Sequence, residues 1–257
     1  MNSALRRFCF VVLLGLPAGL VNAEIIQFQS ATNQTALLEL YTSEGCSSCP
    51  PAETRLSRLK ESPRLWRDFV PVAFHVDYWD YLGWRDPFAS GAYTKRQHAY
   101  AELWRSRSVY TPGFVLDGKE WGGTSRADGP PRSASKPAGI LTARSEDGRR
   151  WTLRFEPAAG ISSSAFEFHA ALLGCDLITD VKAGENRGRK LEHDFVVLDF
   201  SNANASRPGE SFAATLTLNS KPSVTPKRLA VAAWVTPAKN LAPLQAVGGW
   251  LNSKNGI

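Results

Sequence analysis

The stretch Gly45-Cys46-Ser47-Ser48-Cys49-Pro50-Pro51 follows closely on the apolar run Ala36-Leu37-Leu38-Glu39-Leu40-Tyr41. A strand that ends in Cys-x-x-Cys at the mouth of a helix is the layout of a thiol–disulfide centre. Two intervening residues let both sulfurs come within bonding range on one turn. A helix N-terminus stabilises the thiolate of the first cysteine, which makes it nucleophile and leaving group. The same spacing is half of a four-cysteine zinc site, but the chain holds no second Cys-x-x-Cys, so that site is excluded.

Outward from this motif, residues 37–42 read as a buried strand and 51–59 as a helix with Leu56 and Leu59 on one face. Residues 69–76 are rich in β-formers and read as a second strand. From 86 to 105, Phe88, Ala92, Tyr93, His98, Ala99 and Leu103 recur at roughly helical spacing. Residues 109–116 then lead into Asp117-Gly118, a hairpin turn signal, with the returning strand at 119–121. Residues 122–138 change character, holding Gly, Ser, Arg and several prolines. Beyond them come short strands at 151–155, 166–173, 195–200, 212–218 and 229–234, with Gly, Pro and Asn between.

The N-terminus carries Arg6 and Arg7 before an apolar stretch from Phe8 to Leu20, with small residues at Val21-Asn22-Ala23. That pattern predicts a secretory signal peptide over 1–23 and an exported, periplasmic or extracellular, mature chain. Its removal takes Cys9 away and leaves Cys46, Cys49 and Cys175. No later segment is apolar enough to span a bilayer, so no stable membrane insertion is expected after cleavage. The formal charge of +6 becomes +4 once Arg6 and Arg7 leave. Basic residues are scattered rather than blocked, which gives no footing for nucleic-acid or membrane-surface binding.

Strand, Cys-x-x-Cys, helix, strand, helix and then Thr111-Pro112 before the hairpin Phe114-Val-Leu-Asp-Gly resemble the thioredoxin superfamily. The longer blocks Leu40-Tyr-Thr-Ser-Glu-Gly-Cys-Ser-Ser-Cys-Pro-Pro-Ala-Glu, Phe74-His-Val-Asp-Tyr-Trp-Asp-Tyr-Leu-Gly-Trp-Arg-Asp-Pro-Phe and Gly184-Glu-Asn-Arg-Gly-Arg-Lys-Leu-Glu-His are similar to those of secreted bacterial proteins carrying domain of unknown function 1223. The resemblance implies a cis Pro112 packed against the cysteines, a thioredoxin-like fold and redox chemistry; it supplies no substrate. The expected architecture is an α/β thioredoxin-like domain (24–125) with an inserted helical region, a linker (126–138) and an all-β, sandwich-like domain (139–257).

Three departures from ordinary thioredoxins matter. Gly45 stands where they carry Trp. Their buried acid has no counterpart, since Leu40 occupies that offset and Glu39 falls on the opposite strand face. Pro50 and Pro51 follow Cys49 directly, so either the helix is kinked or its regular part begins at Pro50.

The expected reaction is thiol–disulfide exchange with protein or small-molecule thiols and disulfides, without cofactor or metal. Cys46 attacks, Cys49 resolves, and Thr111 and Pro112 position the partner's backbone. Glu44 is either a proton acceptor or a solvated turn residue. His75, Asp77, Tyr78, Trp79 and Trp84, with Tyr81, either line a substrate groove or cap the inserted helix as core. His75 alone reads as proton shuttle, soft-metal ligand or satisfied core histidine. Cys175 reads as a buried, inert thiol. The segment Gly184-Glu-Asn-Arg-Gly-Arg reads as a polar hairpin loop, or as a loop gripping an acidic group through Arg187 and Arg189. The alternatives are a binding module whose Cys46–Cys49 bond is structural, and a Cu(I) carrier using Cys46, Cys49 and His75.

Overall fold

A computed structural model describes residues 25–122, 130, 136–207, 210–219 and 225–251. The expected signal peptide and residues 126–129 and 131–135 of the expected linker lie outside these. In chain order the elements are β1 (Ile26–Gln29), β2 (Ala36–Thr42), α1 (Pro50–Ser57) with a 3-10 turn over Arg58–Glu61, and β3 (Phe69–His75). A 3-10 turn at Asp80–Leu82 precedes α2 (Gly91–Trp104) and the hairpin of β4 (Gly113–Leu116) and β5 (Lys119–Trp121). Then follow β6 (Gly139–Ser145), β7 (Arg150–Pro157), β8 (Phe166–Cys175), β9 (Leu177–Asp180), β10 (Lys190–His193), β11 (Val196–Asn204), β12 (Phe212–Thr217), β13 (Arg228–Pro237) and β14 (Gln245–Leu251). The protein is a mixed α/β fold, mostly strands.

β2 and β3 are buried along their whole lengths. Their near-continuous apolar runs are what a strand covered on both faces requires. They pair in parallel from Ala36↔Phe69 to Thr42↔His75, a geometry that needs a crossover, and α1 supplies it. β4 joins the other edge of β2 antiparallel. Asp117 and Gly118 both take positive φ, 50° and 80°, as the tight hairpin between β4 and β5 demands.

The strands after residue 138 do not stand apart. One eight-stranded sheet runs β14-β13-β8-β11-β3-β2-β4-β5, with β11 parallel to β3 at Val196↔Ala73. The second sheet, β1-β6-β7-β12, is antiparallel, and β1 pairs with β6 although it lies at the start of the described chain. β8 separates two cores. Phe168, Ala170 and Leu172 join Trp151, Leu153 and Phe155, whereas Ala171, Leu173 and Cys175 join Phe74, Tyr100 and Val197. No specific domain split is visible among the described residues, because sheet and core both run across the expected boundary.

α2 is capped by Ser90, whose Oγ accepts the Ala92 N–H at 3.3 Å, and it buries Tyr93, Arg96, Gln97, Tyr100 and Ala101. Arg96 reaches Glu39 of β2 through Nε at 2.8 Å and Nη2 at 3.1 Å. Tyr100 and Tyr41 donate to the same carboxylate at 2.5 and 3.0 Å. The guanidinium also lies over the rings of Phe74, Tyr100, Phe200 and Trp234. Every acceptor site of this buried acid is used, so Glu39 anchors α2 to the sheet.

Candidate functional site

Cys46 and Cys49 form a disulfide where β2 gives way to α1. The regular helix begins at Pro50, with Cys49 as its N-cap, so Cys46 lies one turn ahead of it. Pro50 and Pro51 occupy first-turn positions whose N–H groups lack a helical partner in any case. The Cys46 carbonyl accepts from the Cys49 N–H at 3.2 Å, closing the turn. Both cysteines are fully buried, while Ser47 and Ser48 between them are exposed. Cys46 Sγ lies 3.3 Å from Ser48 Oγ and 3.8 Å from the Thr111 carbonyl oxygen. The Thr111–Pro112 bond is cis.

Parallel β2 and β3 bring residues 77–84 out at the same end as Cys46. Asp77 accepts from Thr94 Oγ1 at 2.6 Å, and Tyr78 donates to Gln97 at 3.2 Å. Trp79 Nε1 donates to Thr111 Oγ1 at 2.7 Å, which ties this segment to the cis-proline loop. A Cβ on Gly45 would lie 2.8 Å from Trp79 Cβ and 3.3 Å from the Trp79 carbonyl oxygen, so the Trp79 residue leaves no room for a side chain at 45. Trp84 Nε1 donates to Glu44 Oε2 at 2.7 Å. Tyr78, Trp79 and Trp84 are half-buried; Tyr81 points to solvent, 78% exposed.

The polar loop after β9 covers the motif. Asn186, fully buried, donates through Nδ2 to the carbonyls of Glu44 at 2.8 Å and Cys46 at 2.9 Å. Its Oδ1 accepts from Arg189 at 2.7 Å. Glu185 accepts the Ser47 N–H at 3.0 Å.

Behind the disulfide lies a buried cluster of titratable groups. His193 faces two carboxylates, Glu44 Oε1 from Nε2 at 3.0 Å and Glu53 Oε2 from Nδ1. Each ring nitrogen thus faces a carboxyl oxygen, and a protonated ring donates to both. Burial works against that charge, but Glu53 and Glu44 prevail and raise the His193 pKa to about 10. His75 donates from Nδ1 to Asp86 Oδ2 at 2.7 Å, and its Nε2 is buried without a partner among the described residues. Burial pulls its pKa down and the Asp86 charge outweighs this, leaving it raised. Glu53, which also accepts from Thr42 Oγ1 at 2.5 Å, and Asp86 end below their ordinary values: burial raises them and the imidazoliums overcome it.

Of the residues singled out in the sequence, Cys46, Cys49, Thr111, Pro112 and Trp79 meet around the disulfide. Glu44 and His75 belong to the buried cluster, and half-buried Trp84 donates to Glu44 from outside it. Asp77 and Tyr78 are engaged with α2. Glu53, Asp86, Asn186 and His193 are additional members that sequence reasoning missed. Glu53 carried a usable signal, an acid on the same helical face as Ala52 and Leu56, four residues after Cys49. Cys175 lies apart, its thiol accepting the Phe195 N–H at 3.2 Å and pushed by burial to about 12.

Fold and site together define a mixed α/β protein with a buried Cys-x-x-Cys disulfide at a strand-to-helix junction, opposed by a cis-proline loop. The chain belongs to the family described as "Protein of unknown function (DUF1223)", whose profile matches residues 37–236. Among solved structures it is similar to the Agrobacterium tumefaciens protein AtR35, with 22% identity and a TM-score of 0.57, covering 85% of this chain and 95% of that one. It is also similar to HBP35 of Porphyromonas gingivalis, with 14% identity and a TM-score of 0.55, covering 86% of this chain and 76% of that one. These likenesses speak to fold alone. No curated protein is significantly similar to the chain.

Proposed function

We propose that the chain is an exported thioredoxin-like protein that carries out thiol–disulfide exchange through Cys46 and Cys49. The observation that carries this reading is the Cys46–Cys49 disulfide at the β2–α1 junction, with the Thr111 carbonyl 3.8 Å from Cys46 Sγ. In the reduced protein the Cys46 thiolate attacks a partner disulfide, forms a mixed disulfide and releases a partner thiolate. Cys49 loses its proton and attacks Cys46 Sγ. The intramolecular bond closes and the second partner sulfur leaves, to be protonated. The dithiol thereby loses two electrons and two protons, and the partner disulfide gains both. The reverse sequence oxidises a partner dithiol. The partners in this reading are protein or small-molecule thiols, and Thr111 and Pro112 present the edge on which their backbone docks.

Full burial of both sulfurs and the Asn186 cap favour a second reading, a structural disulfide in a binding module. The reduction potential separates the two: on the order of −120 to −270 mV for an exchange centre, below about −300 mV for a structural bond. Cys49→Ser should trap mixed disulfides, seen as reducible high-mass bands in exported extracts, and Cys46→Ser should not. Equal trapping by both variants, or by neither, rejects the exchange reading.

A further inference from the structure

We propose that Glu53, His75 and His193 form a buried binding site for one divalent transition cation of the zinc class. One donor atom from each residue lies within 4.8 Å of those of the other two. The three residues come from α1, the end of β3 and the end of β10, elements brought together only by folding. His75 is held through Nδ1 by Asp86 at 2.7 Å, which leaves Nε2 as the donor; that nitrogen is buried and has no partner among the described residues. His193 is held through Nε2 by Glu44 at 3.0 Å, which turns Nδ1 toward Glu53. Both imidazoles therefore have the carboxylate–histidine–metal arrangement, in which an outer carboxylate fixes the ring and raises its basicity.

The donor set of two imidazoles and one carboxylate is that of three-ligand zinc sites with a fourth position open. A solvent oxygen would complete it. Three carboxylates (Glu44, Glu53 and Asp86) surround two rings. The site uses no sulfur, which separates it from a copper site at the cysteines and from the exchange reaction. Because Glu53, His75 and His193 are almost wholly inaccessible, the ion enters during folding.

The test is to unfold the full chain, refold it with one equivalent of zinc or cobalt(II), desalt it, and measure metal by elemental analysis. Cobalt(II) absorption and affinity by chelator competition complete the measurement. Wild type should retain one metal per chain, show the visible bands of four-coordinate cobalt(II), and melt higher than chelator-treated protein. The Cys46→Ser/Cys49→Ser variant should behave in the same way. His75→Gln and Glu53→Gln should each bind at least tenfold more weakly, since even outer-shell losses cost about 10–100-fold. Wild type that refolds without retaining metal overturns the proposal, independently of any variant. So does metal lost with the two cysteines and kept in His75→Gln, which would place the ion on the dithiol.

Discussion

His193 sits between the Glu44 and Glu53 carboxylates with almost no solvent contact, so its charge is tied to folding. Its folded pKa of about 10 lies above the ordinary 6.5. A raised folded pKa contributes stability that is fully present below the unfolded value and is lost as pH rises through the folded one. Glu53 and Asp86 have lowered values, so their contribution is present above the ordinary carboxylate range and is lost as pH falls through the lowered values. Metal-free protein should therefore melt highest near pH 5–6.5, and the melting temperature should fall by several degrees toward pH 10. His193→Gln should flatten that alkaline slope. Thermal melts across pH provide the check, and an unchanged slope in the variant would remove the assignment. At Glu39 the expectation concerns a buried pair. Arg96→Met leaves the carboxylate without its cation and should cost about 3–5 kcal/mol in denaturant titrations, whereas exposed Arg154, paired to Glu156 at 3.1 Å, should tolerate the same change within about 1 kcal/mol.

At the scale of elements, the loop between β9 and β10 holds the Cys-x-x-Cys turn through two hydrogen bonds from a single amide. Asn186→Ala leaves the Glu44 and Cys46 carbonyls without that donor. An unsatisfied buried group costs about 1–3 kcal/mol, and for a chain of this size each kcal/mol shifts melting by about 2–4 °C. The variant should melt lower, its disulfide should be reduced faster by a small dithiol, and its reduced Cys46 should be alkylated faster than in wild type. Rates followed by mass spectrometry of the labelled peptide decide this; equal rates would mean that the loop does not govern access to Cys46. The turn itself was legible in the sequence, since Gly, Asn and Arg in close succession mark a polar loop. Its landing place was not, because more than 130 residues separate it from the motif in the chain.

At the scale of the molecule, one sheet carries strands from both halves, and β3 has β11 as its outer neighbour. A fragment ending at residue 125 would expose that edge and lose Leu173, Phe195, Val197 and Trp234 from the core around Phe74. The fragment 24–125 is expected to lack cooperative thermal unfolding, whereas the full chain should unfold in one transition seen alike by far-UV and tryptophan signals. Two separable transitions in the full chain would restore a division near 126–138.

The local pieces were legible in the chain alone. Apolar runs marked β2 and β3, Asp117-Gly118 marked the hairpin, Pro50-Pro51 allowed a helix start after Cys49, and the cysteine spacing marked the disulfide. Each of these follows from interactions within a few residues: steric limits on φ, side-chain periodicity, the reach of two sulfurs on one turn. Only the tertiary structure decided that the later strands extend the first sheet, that β1 belongs to the second one, and that Glu53, His75, Asp86 and His193 share one buried cluster. Strand order and burial depend on contacts between residues far apart in the chain, and no local pattern records which apolar strand lies beside which. A histidine at a strand end reads the same whether it faces water or two carboxylates; only the packing of α1, β3 and β10 against each other gives it its partners.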